Sequence, residues 1–180
     1  DLEGLRILPE FINEGIDSLK IEGRMKSHLY AGTMSKVYSE ALKYYSVHGN
    51  FLSDDLLNWE AELKKVSHRA YTNASLVEAA GADSIFNERE NETETEWQIV
   101  GTVIEVSPKA GIVLEVRNAF NQGDELEILS FNGAPIVVRA NEITDIMMRP
   151  VTRTKPSTLI KLPFQAGVEN MQLVRQMVKA

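Results

Sequence analysis

Apolar residues in the first part of the chain recur at the three- and four-residue spacing of amphipathic helices. The first such pattern covers residues 2–14, and Pro9 within it predicts that the helix begins near that proline. A glycine ends this pattern, and residues 17–22 then alternate as a short strand. A helix, a glycine and a strand in this order are typical of an α/β barrel or a layered α/β sheet.

Two longer helices are predicted after this strand. Residues 27–48 carry a broad apolar face and have Ser27 as the expected N-cap. Residues 53–66 carry a second apolar stripe, with Ser53 as the expected N-cap and two aspartates in the first turn. Both patterns indicate helices that pack one face against a core.

From Trp97 onward the hydrophobic period changes to two, which indicates β-strands. The Asn132-Gly133 pair is a strong signal for a hairpin turn. The strands after the first are predicted over residues 112–116, 125–129, 135–143, 157–162 and 171–178. Six short strands predict a closed antiparallel β-barrel, which leaves few exposed edges. The glycine and aspartate spacing within it resembles the β-barrel second domain of translation factors.

The sequence thus predicts an α+β protein in two parts, residues 1–72 and residues 97–180. Residues 73–96 between them are expected to be a linker, because they lose the apolar spacing and end in a polar run rich in glutamate. Within it, residues 83–96 are expected to be mobile. The chain begins with Asp1 inside a helical pattern, which predicts that it belongs to a longer protein.

Composition narrows the classes of function. The chain has 180 residues, 43% hydrophobic residues and no cysteine, so it can bury a core but cannot hold a disulfide or a cysteine-ligated cluster. We expect no membrane partner and a cytoplasmic location. The net charge is −7, shared as −8 for residues 1–96 and +1 for residues 97–180. Neither part is basic, so these residues alone should bind nucleic acid weakly.

The strand over residues 17–22 leads into the most informative charged cluster. Alternation places Lys20 and Glu22 on one face of the strand, and a glycine then permits a sharp exit into a loop with Arg24 and Lys26. A carboxylate beside cations suits the binding of an anionic ligand. The alternative is a surface ion-pair cluster, which the composition alone favours.

Two further groups of residues have both a functional and a structural interpretation. His68 can act as an acid, a base or a ligand, or it can cap a helix C-terminus beside Arg69. In the predicted barrel, Gly123 and Asp124 are expected to shape a turn, next to a second pair of polar residues, Arg117 and Asn118. The alternatives for the later cations are a mild basic face or scattered solubilising charge; these are Arg139, Arg149, Arg153, Lys155 and Lys161.

Residues 16–27 read Ile-Asp-Ser-Leu-Lys-Ile-Glu-Gly-Arg-Met-Lys-Ser, and this segment resembles the strand, loop and helix that distinguish peptidase family U32. The similarity extends through Tyr30 and Tyr38 of the next helix and through residues 67–71. It resumes in the predicted barrel at residues 100–103 and 116–124. The resemblance therefore covers most of the chain and both predicted parts.

The resemblance implies that residues 1–72 are the last elements of a TIM-like α/β barrel and that residues 97–180 are the C-terminal β-barrel of the family. The rest of the barrel would precede this chain and be its partner, and cysteines there can hold an iron–sulfur cluster. Two positions depart from the family pattern. Glu3 stands where relatives often carry a cysteine, and Asn73-Ala74 stands where they tend to have Gly-Phe.

Members of the family are usually described as collagenase-like proteases, while better-understood relatives hydroxylate tRNA or ribosomal RNA, and the tRNA enzymes use prephenate. The resemblance gives candidate catalytic residues, Glu22, Arg24 and His68. It also gives candidate substrate-binding residues, Lys20, Lys26, Arg69 and Tyr71. We expect no metal site and no complete active site in these residues. No serine-centred nucleophile motif and no histidine pair with zinc spacing occurs in the sequence.

Three functions remain open at this point. The chain can be an accessory substrate-binding region of an enzyme that hydroxylates tRNA uridine. It can instead belong to a true peptidase and contact a protein substrate. The third interpretation is a non-catalytic module that only docks on its own barrel. RNA, protein and the preceding barrel domain are the corresponding partners.

Overall fold

The computed structural model describes residues 1–79, 81 and 95–178. The chain divides into two compact units, Asp1–Thr95 and Glu96–Ala180. The run expected to be mobile, residues 83–96, lies outside the described residues except for its last two positions.

The described part of the first unit contains three helices. They are α1 (Leu8–Asn13), α2 (His28–His48) and α3 (Ser53–Leu63). The predicted caps of α2 are confirmed, since the Ser27 hydroxyl accepts a hydrogen bond from the Tyr30 N–H at 3.1 Å and Gly49 ends the helix at φ +71°. The proline in the first turn of α1 is also as predicted.

Two predictions for the first unit are wrong. Helix α3 includes Ser53 and has Leu52 as its N-cap, so the serine caps nothing, and the helix ends at Leu63. Residues 17–22 form no strand and are exposed throughout. A strand needs a neighbouring backbone for its hydrogen bonds, and none of the described residues pairs with this segment. The α/β-barrel strand expected here is therefore absent from the structure.

The described part of the second unit forms a seven-stranded antiparallel sheet. Its strands are β1 (Trp97–Ser107), β2 (Gly111–Val116), β3 (Glu125–Ile128), β4 (Ile136–Arg139), β5 (Thr144–Asp145), β6 (Leu159–Leu162) and β7 (Leu173–Met177). The order across the sheet is β4-β3-β7-β1-β2-β6-β5. The predicted count of six is wrong by one, because β5 is a two-residue strand that pairs with β6 and was too short to show a period.

The sheet of the second unit is curled around a single core. Val138 of β4 and Ile160 of β6 lie near opposite ends of the strand order, yet Val138 packs against the hydrophobic cluster to which Ile160 belongs. Strand β1 bends around this core through two register shifts, one of them between Ile99 and Gly101. A Cβ added at Gly101 would lie 2.5 Å from the carbonyl oxygen of Glu115, so only glycine allows this approach. The α+β class and the antiparallel pairing are confirmed. The predicted closed barrel is not, because the strand order of the described residues ends at β4 and β5, which do not pair with each other.

Candidate functional site

A cavity of about 590 Å³ in the first unit brings together most of the residues singled out in the sequence. Six of the seven candidate site residues line it, namely Lys20, Glu22, Arg24, Lys26, Arg69 and Tyr71. His68 does not line it. The remaining wall is mainly aromatic and aliphatic, so the cavity joins charged and apolar surface.

The loop at Gly23 shapes one wall of this cavity. The Lys26 N–H donates to the Gly23 carbonyl oxygen at 2.9 Å, which closes a tight turn. A Cβ added at Gly23 would lie 2.9 Å from Cε1 of Tyr30, closer than real Cβ atoms come to a neighbour. The loop can therefore pack against the Tyr30 ring only because residue 23 has no side chain.

Glu22 lies between two cations at the open side of the cavity. Its carboxylate oxygens are 3.3 Å from Nζ of Lys20 and 3.7 Å from Nε of Arg24. The Arg24 side chain is 84% exposed, so this contact is a solvated ion pair and contributes little to stability. The guanidinium remains accessible to an anionic ligand.

Lys26 and Arg69 are held by a residue that the sequence analysis missed, Asp1. The Asp1 side chain is only 8% exposed. Its Oδ1 lies 2.8 Å from Nε and 2.7 Å from Nη2 of Arg69, and its Oδ2 accepts the Arg69 N–H at 3.1 Å. Nζ of Lys26 lies 3.4 Å from Oδ2. One buried carboxylate thus fixes two cations, with charge-assisted contacts that are stronger than neutral ones.

Nothing local in the sequence indicates this pairing, because Asp1 and Arg69 are 68 positions apart. Their contact follows from the first residues running beside residues 70–72. The Glu3 N–H donates to the Thr72 carbonyl oxygen at 2.9 Å, and the Thr72 N–H donates to that of Asp1 at 3.0 Å. Residues 1–3 and 69–72 therefore come together only in the folded chain.

Three tyrosines, Tyr30, Tyr38 and Tyr71, line the cavity. The Tyr71 hydroxyl donates to the Leu63 carbonyl oxygen at 2.9 Å, and the Tyr38 hydroxyl accepts from the Gly4 N–H at 3.1 Å. Burial raises the pKa of both phenols above the ordinary value of 10.0. They remain neutral at physiological pH and offer flat, weakly polar surfaces rather than charge.

His68 supports the cavity from behind. Its ring stacks on Tyr71 with centroids 4.1 Å apart, and its Nδ1 donates to the Arg69 carbonyl oxygen at 2.8 Å. The residue is buried and lies beyond the end of α3, so it is not a cap of that helix. The stacking contact places His68 where it can fix the orientation of the Tyr71 ring.

In the second unit, the turn prediction is confirmed. Gly123 has φ +87°, and the Asp124 carboxylate accepts the Asn121 N–H at 2.8 Å. Three of the exposed arginines there pair with neighbouring carboxylates, Arg117 with Glu115, Arg139 with Glu125 and Arg149 with Asp145.

Metal sites, iron–sulfur clusters and membrane-spanning helices can each be assessed in the described residues. Among residues 1–79, 81 and 95–178, no three His, Cys, Asp or Glu side chains come together as a metal site would require. The sequence has no cysteine, so these residues do not fit an iron–sulfur cluster. No helix in the described part of the chain is both long enough and apolar enough to cross a bilayer.

Comparisons with solved structures and with curated proteins give two kinds of match. The C-terminal domain of a U32-class peptidase from Geobacillus thermoleovorans is 20% identical, with a TM-score of 0.41, over 44% of this chain and 91% of that domain. The tRNA hydroxylation protein P1 of Bacillus subtilis (strain 168) is 35% identical over 130 residues, 71% of this chain and 30% of that protein. The tRNA hydroxylation protein P of Escherichia coli (strain K12) is 29% identical over 133 residues, 74% of this chain and 28% of that protein.

This chain therefore spans less than a third of the curated relatives that it matches. Two family models together account for nearly all of it. Peptidase family U32 matches residues 1–85, and the peptidase family U32 C-terminal domain matches residues 95–175. The chain belongs to peptidase family U32.

Proposed function

We propose that these 180 residues are an accessory substrate-binding region of an enzyme that hydroxylates uridine in tRNA. The observation that carries the proposal is the cavity of the first unit, where apolar and aromatic walls meet exposed cations. A nucleotide has the same two features, a flat base and an anionic phosphate. The names of the relatives, tRNA hydroxylation proteins, support this substrate class.

Each group of residues has a separate task in this proposal. Arg24 and Lys20 are exposed at the open side, where they contact the phosphate, and Glu22 orients them. Tyr30 and Tyr71 give the base an aromatic surface.

Lys26 and Arg69 have a different role, because Asp1 already balances part of their charge. A cation held by a buried carboxylate loses little conformational entropy when a ligand arrives. We assign these two residues to positioning the ligand, with His68 keeping Tyr71 in place.

The proposal also includes a partner, the α/β-barrel domain that would precede these residues. Leu19 and Ile21 are exposed, and they alternate along residues 17–22, which have no strand partner among the described residues. A neighbouring strand would supply the missing backbone hydrogen bonds and cover both side chains. A cysteine-held cluster would also need ligands from that domain. A tRNA substrate implies a cytoplasmic enzyme.

A peptidase site is less consistent with this cavity. Its lining, taken over the described residues, includes no serine, threonine, cysteine or histidine. Peptide hydrolysis needs an activated nucleophile, an open metal site or two carboxyl groups that share a proton. Of the carboxylates in the lining, Asp1 and Glu22 contact cations instead of each other. The family name alone therefore gives no reason to prefer a protein substrate.

The test is Arg24→Ala in the full-length protein, with tRNA hydroxylation measured by mass spectrometry of nucleosides. We expect the modification to be lost and the melting temperature to stay unchanged, because an exposed ion pair contributes at most about 1 kcal/mol. Arg6→Ala is the matched control, since Arg6 also pairs with a carboxylate, that of Glu60 at 2.6 Å, but does not line the cavity. Wild-type hydroxylation in Arg24→Ala, or unfolding of that variant, would refute the proposal.

A further inference from the structure

The second unit presents three consecutive large apolar side chains to solvent on one turn. Ile146, Met147 and Met148 follow β5 and are 55%, 70% and 65% exposed. We refer to residues 145–149 as the methionine turn. Single exposed apolar side chains are common on protein surfaces, but three in succession at a turn form a continuous apolar projection.

The methionine turn is held in this shape by Asp145. Its Oδ1 accepts the N–H groups of Met147 at 2.8 Å and of Arg149 at 3.0 Å, and its Oδ2 lies 2.7 Å from Nε of Arg149. These contacts also lower the pKa of Asp145, the Arg149 N–H being the largest cause, so the carboxylate stays ionised at neutral pH.

Met148 has φ +64°, a left-handed backbone conformation that residues other than glycine rarely adopt. This conformation is unfavourable for methionine and persists because the surrounding hydrogen bonds fix it. The Met148 N–H donates to the Asp145 carbonyl oxygen at 3.0 Å, and the Asp145 N–H donates to that of Arg149 at 3.0 Å. The apolar projection is therefore preorganised, which lowers the entropy lost on binding.

The sequence that follows the methionine turn is rich in cations. Residues 146–161 contain four Lys and Arg and no Asp or Glu, in a chain whose net charge is −7. Nζ of Lys161 lies 3.9 Å from Sδ of Met148. Arg153 and Lys155 are exposed, and neither lies within ion-pair distance of a carboxylate of the described residues. They differ in this from Arg117 and Arg139, which pair with glutamates.

We propose that the methionine turn and the cations around it form an RNA-contacting element of the second unit. Met147 and Met148 insert against unstacked bases, and Arg153, Lys155 and Lys161 neutralise the neighbouring phosphates. Apolar wedges flanked by Arg and Lys are a known way to bind nucleic acid, and phosphate neutralisation supplies much of the affinity. The proposal rests on the proposed function for its ligand, but it assigns a surface outside the cavity.

RNA suits this surface better than a protein does. A stable protein interface buries about 800 Å² on each partner and has an apolar centre with few charges. At the methionine turn three apolar side chains project, and exposed cations follow them in the sequence. A nucleic acid strand needs only a small apolar contact, because its charge provides the rest.

The test uses the full-length protein and fluorescein-labelled tRNA, with affinity measured by anisotropy over a range of salt concentrations. Met148→Gly removes the side chain and relieves the unfavourable φ, so the turn keeps its shape. Met171→Gly is the matched control, because Met171 is 68% exposed and has φ +70° but precedes β7. We expect binding to weaken about tenfold in Met148→Gly and to change less than about twofold in the control.

A second pair of variants tests the cations. Arg153→Gln with Lys155→Gln should lower the slope of log affinity against log salt by about two, one for each phosphate that the variant no longer neutralises. Arg117→Gln with Arg139→Gln is the control and should leave the slope unchanged, because glutamates already balance those two arginines.

Equal tRNA binding by Met148→Gly and the wild type would overturn the wedge. Tighter binding to a polyglutamate peptide or to phosphatidylglycerol vesicles than to tRNA, abolished in the same variants, would overturn the choice of RNA. If the Met148 variant binds normally while Arg24→Ala still abolishes hydroxylation, this inference fails and the proposed function stands. If the wild type neither binds nor hydroxylates tRNA, both fail.

Discussion

The two units of this chain differ in whether their extended segments find backbone partners among the described residues. In the second unit, the inward side chains of the strands meet in one cluster, and the strands pair in a continuous order. In the first unit, Ile16, Leu19, Ile21 and Met25 are exposed along a segment that has no regular structure. The described strands of the second unit therefore satisfy one another's backbone hydrogen bonds, whereas residues 17–22 of the first unit pair with no described residue.

The two proposed binding sites also differ in the range of the contacts that hold their residues in place. In the second unit, Asp145 fixes the methionine turn by binding residues at most four positions away. In the first unit, Asp1 pairs with Arg69, which is 68 positions away, and both residues line the cavity. The site proposed on the second unit is thus held by local contacts, while the site proposed in the first unit is held by tertiary contacts.

Truncation should have the largest effect on this comparison. Residues 97–180 alone should fold, because the sheet and its core need no residue outside them. We expect a dispersed proton spectrum and one cooperative thermal transition. Residues 1–79 alone should melt over a broad range and bind a hydrophobic dye, because their apolar segment is exposed.

The full 180-residue chain is the reference for both truncated proteins. A disordered spectrum for residues 97–180 would show that the second unit is not self-sufficient. A sharp transition without dye binding for residues 1–79 would show that the first unit folds cooperatively despite its exposed apolar segment. Either result would remove the distinction between the two units.

The features that the sequence predicted are those encoded by neighbouring residues. The Ser27 cap, the Gly49 terminus and the turn at Gly123 each follow from local backbone chemistry, and all three are confirmed. The prediction of a strand over residues 17–22 was wrong. Alternation shows which side chains share a face, but it does not show whether a partner strand is present. The role of Asp1 was not predictable, since its partner is defined only by the fold.

A smaller effect is expected at the wall of the cavity in the first unit. Gly23→Ala would place a Cβ 2.9 Å from the buried Tyr30 ring, so the loop or the ring must move. Crowding of this kind costs typically about 1–3 kcal/mol in the free energy of unfolding, measured by urea denaturation. We also expect weaker ligand binding, because the wall formed by Tyr30 shifts.

Gly4→Ala is the matched control for this change. It adds the same methyl group to the same cavity lining, but the new Cβ would lie 3.5 Å from Phe11, an ordinary contact. Its N–H still donates to the Tyr38 hydroxyl. Equal stability of the Gly23 and Gly4 variants would show that the loop at Gly23 does not pack tightly against the Tyr30 ring.

The smallest effect concerns Glu3, which also lines the cavity of the first unit. Burial raises the pKa of its carboxyl above the ordinary value of 4.5, and the nearby Glu60 carboxylate raises it further, against the Leu5 N–H that donates to it at 3.1 Å. The folded state therefore holds this proton more tightly than the unfolded state does. The stability contributed by the protonated form is fully present below pH 4.5 and is lost as the pH rises through the raised value.

Glu3→Gln should remove this pH dependence, because glutamine cannot ionise and its amide oxygen can still accept the Leu5 N–H. We expect the variant to lose less stability than the wild type between pH 4.5 and 7, measured by thermal melting of the 180-residue chain. Glu10→Gln removes the same charge from an exposed position in α1 and should melt in parallel with the wild type. If Glu3→Gln and Glu10→Gln give the same pH profile, the half-buried carboxyl of Glu3 does not destabilise the first unit. The difference between the two units would then rest only on the unpaired segment of residues 17–22.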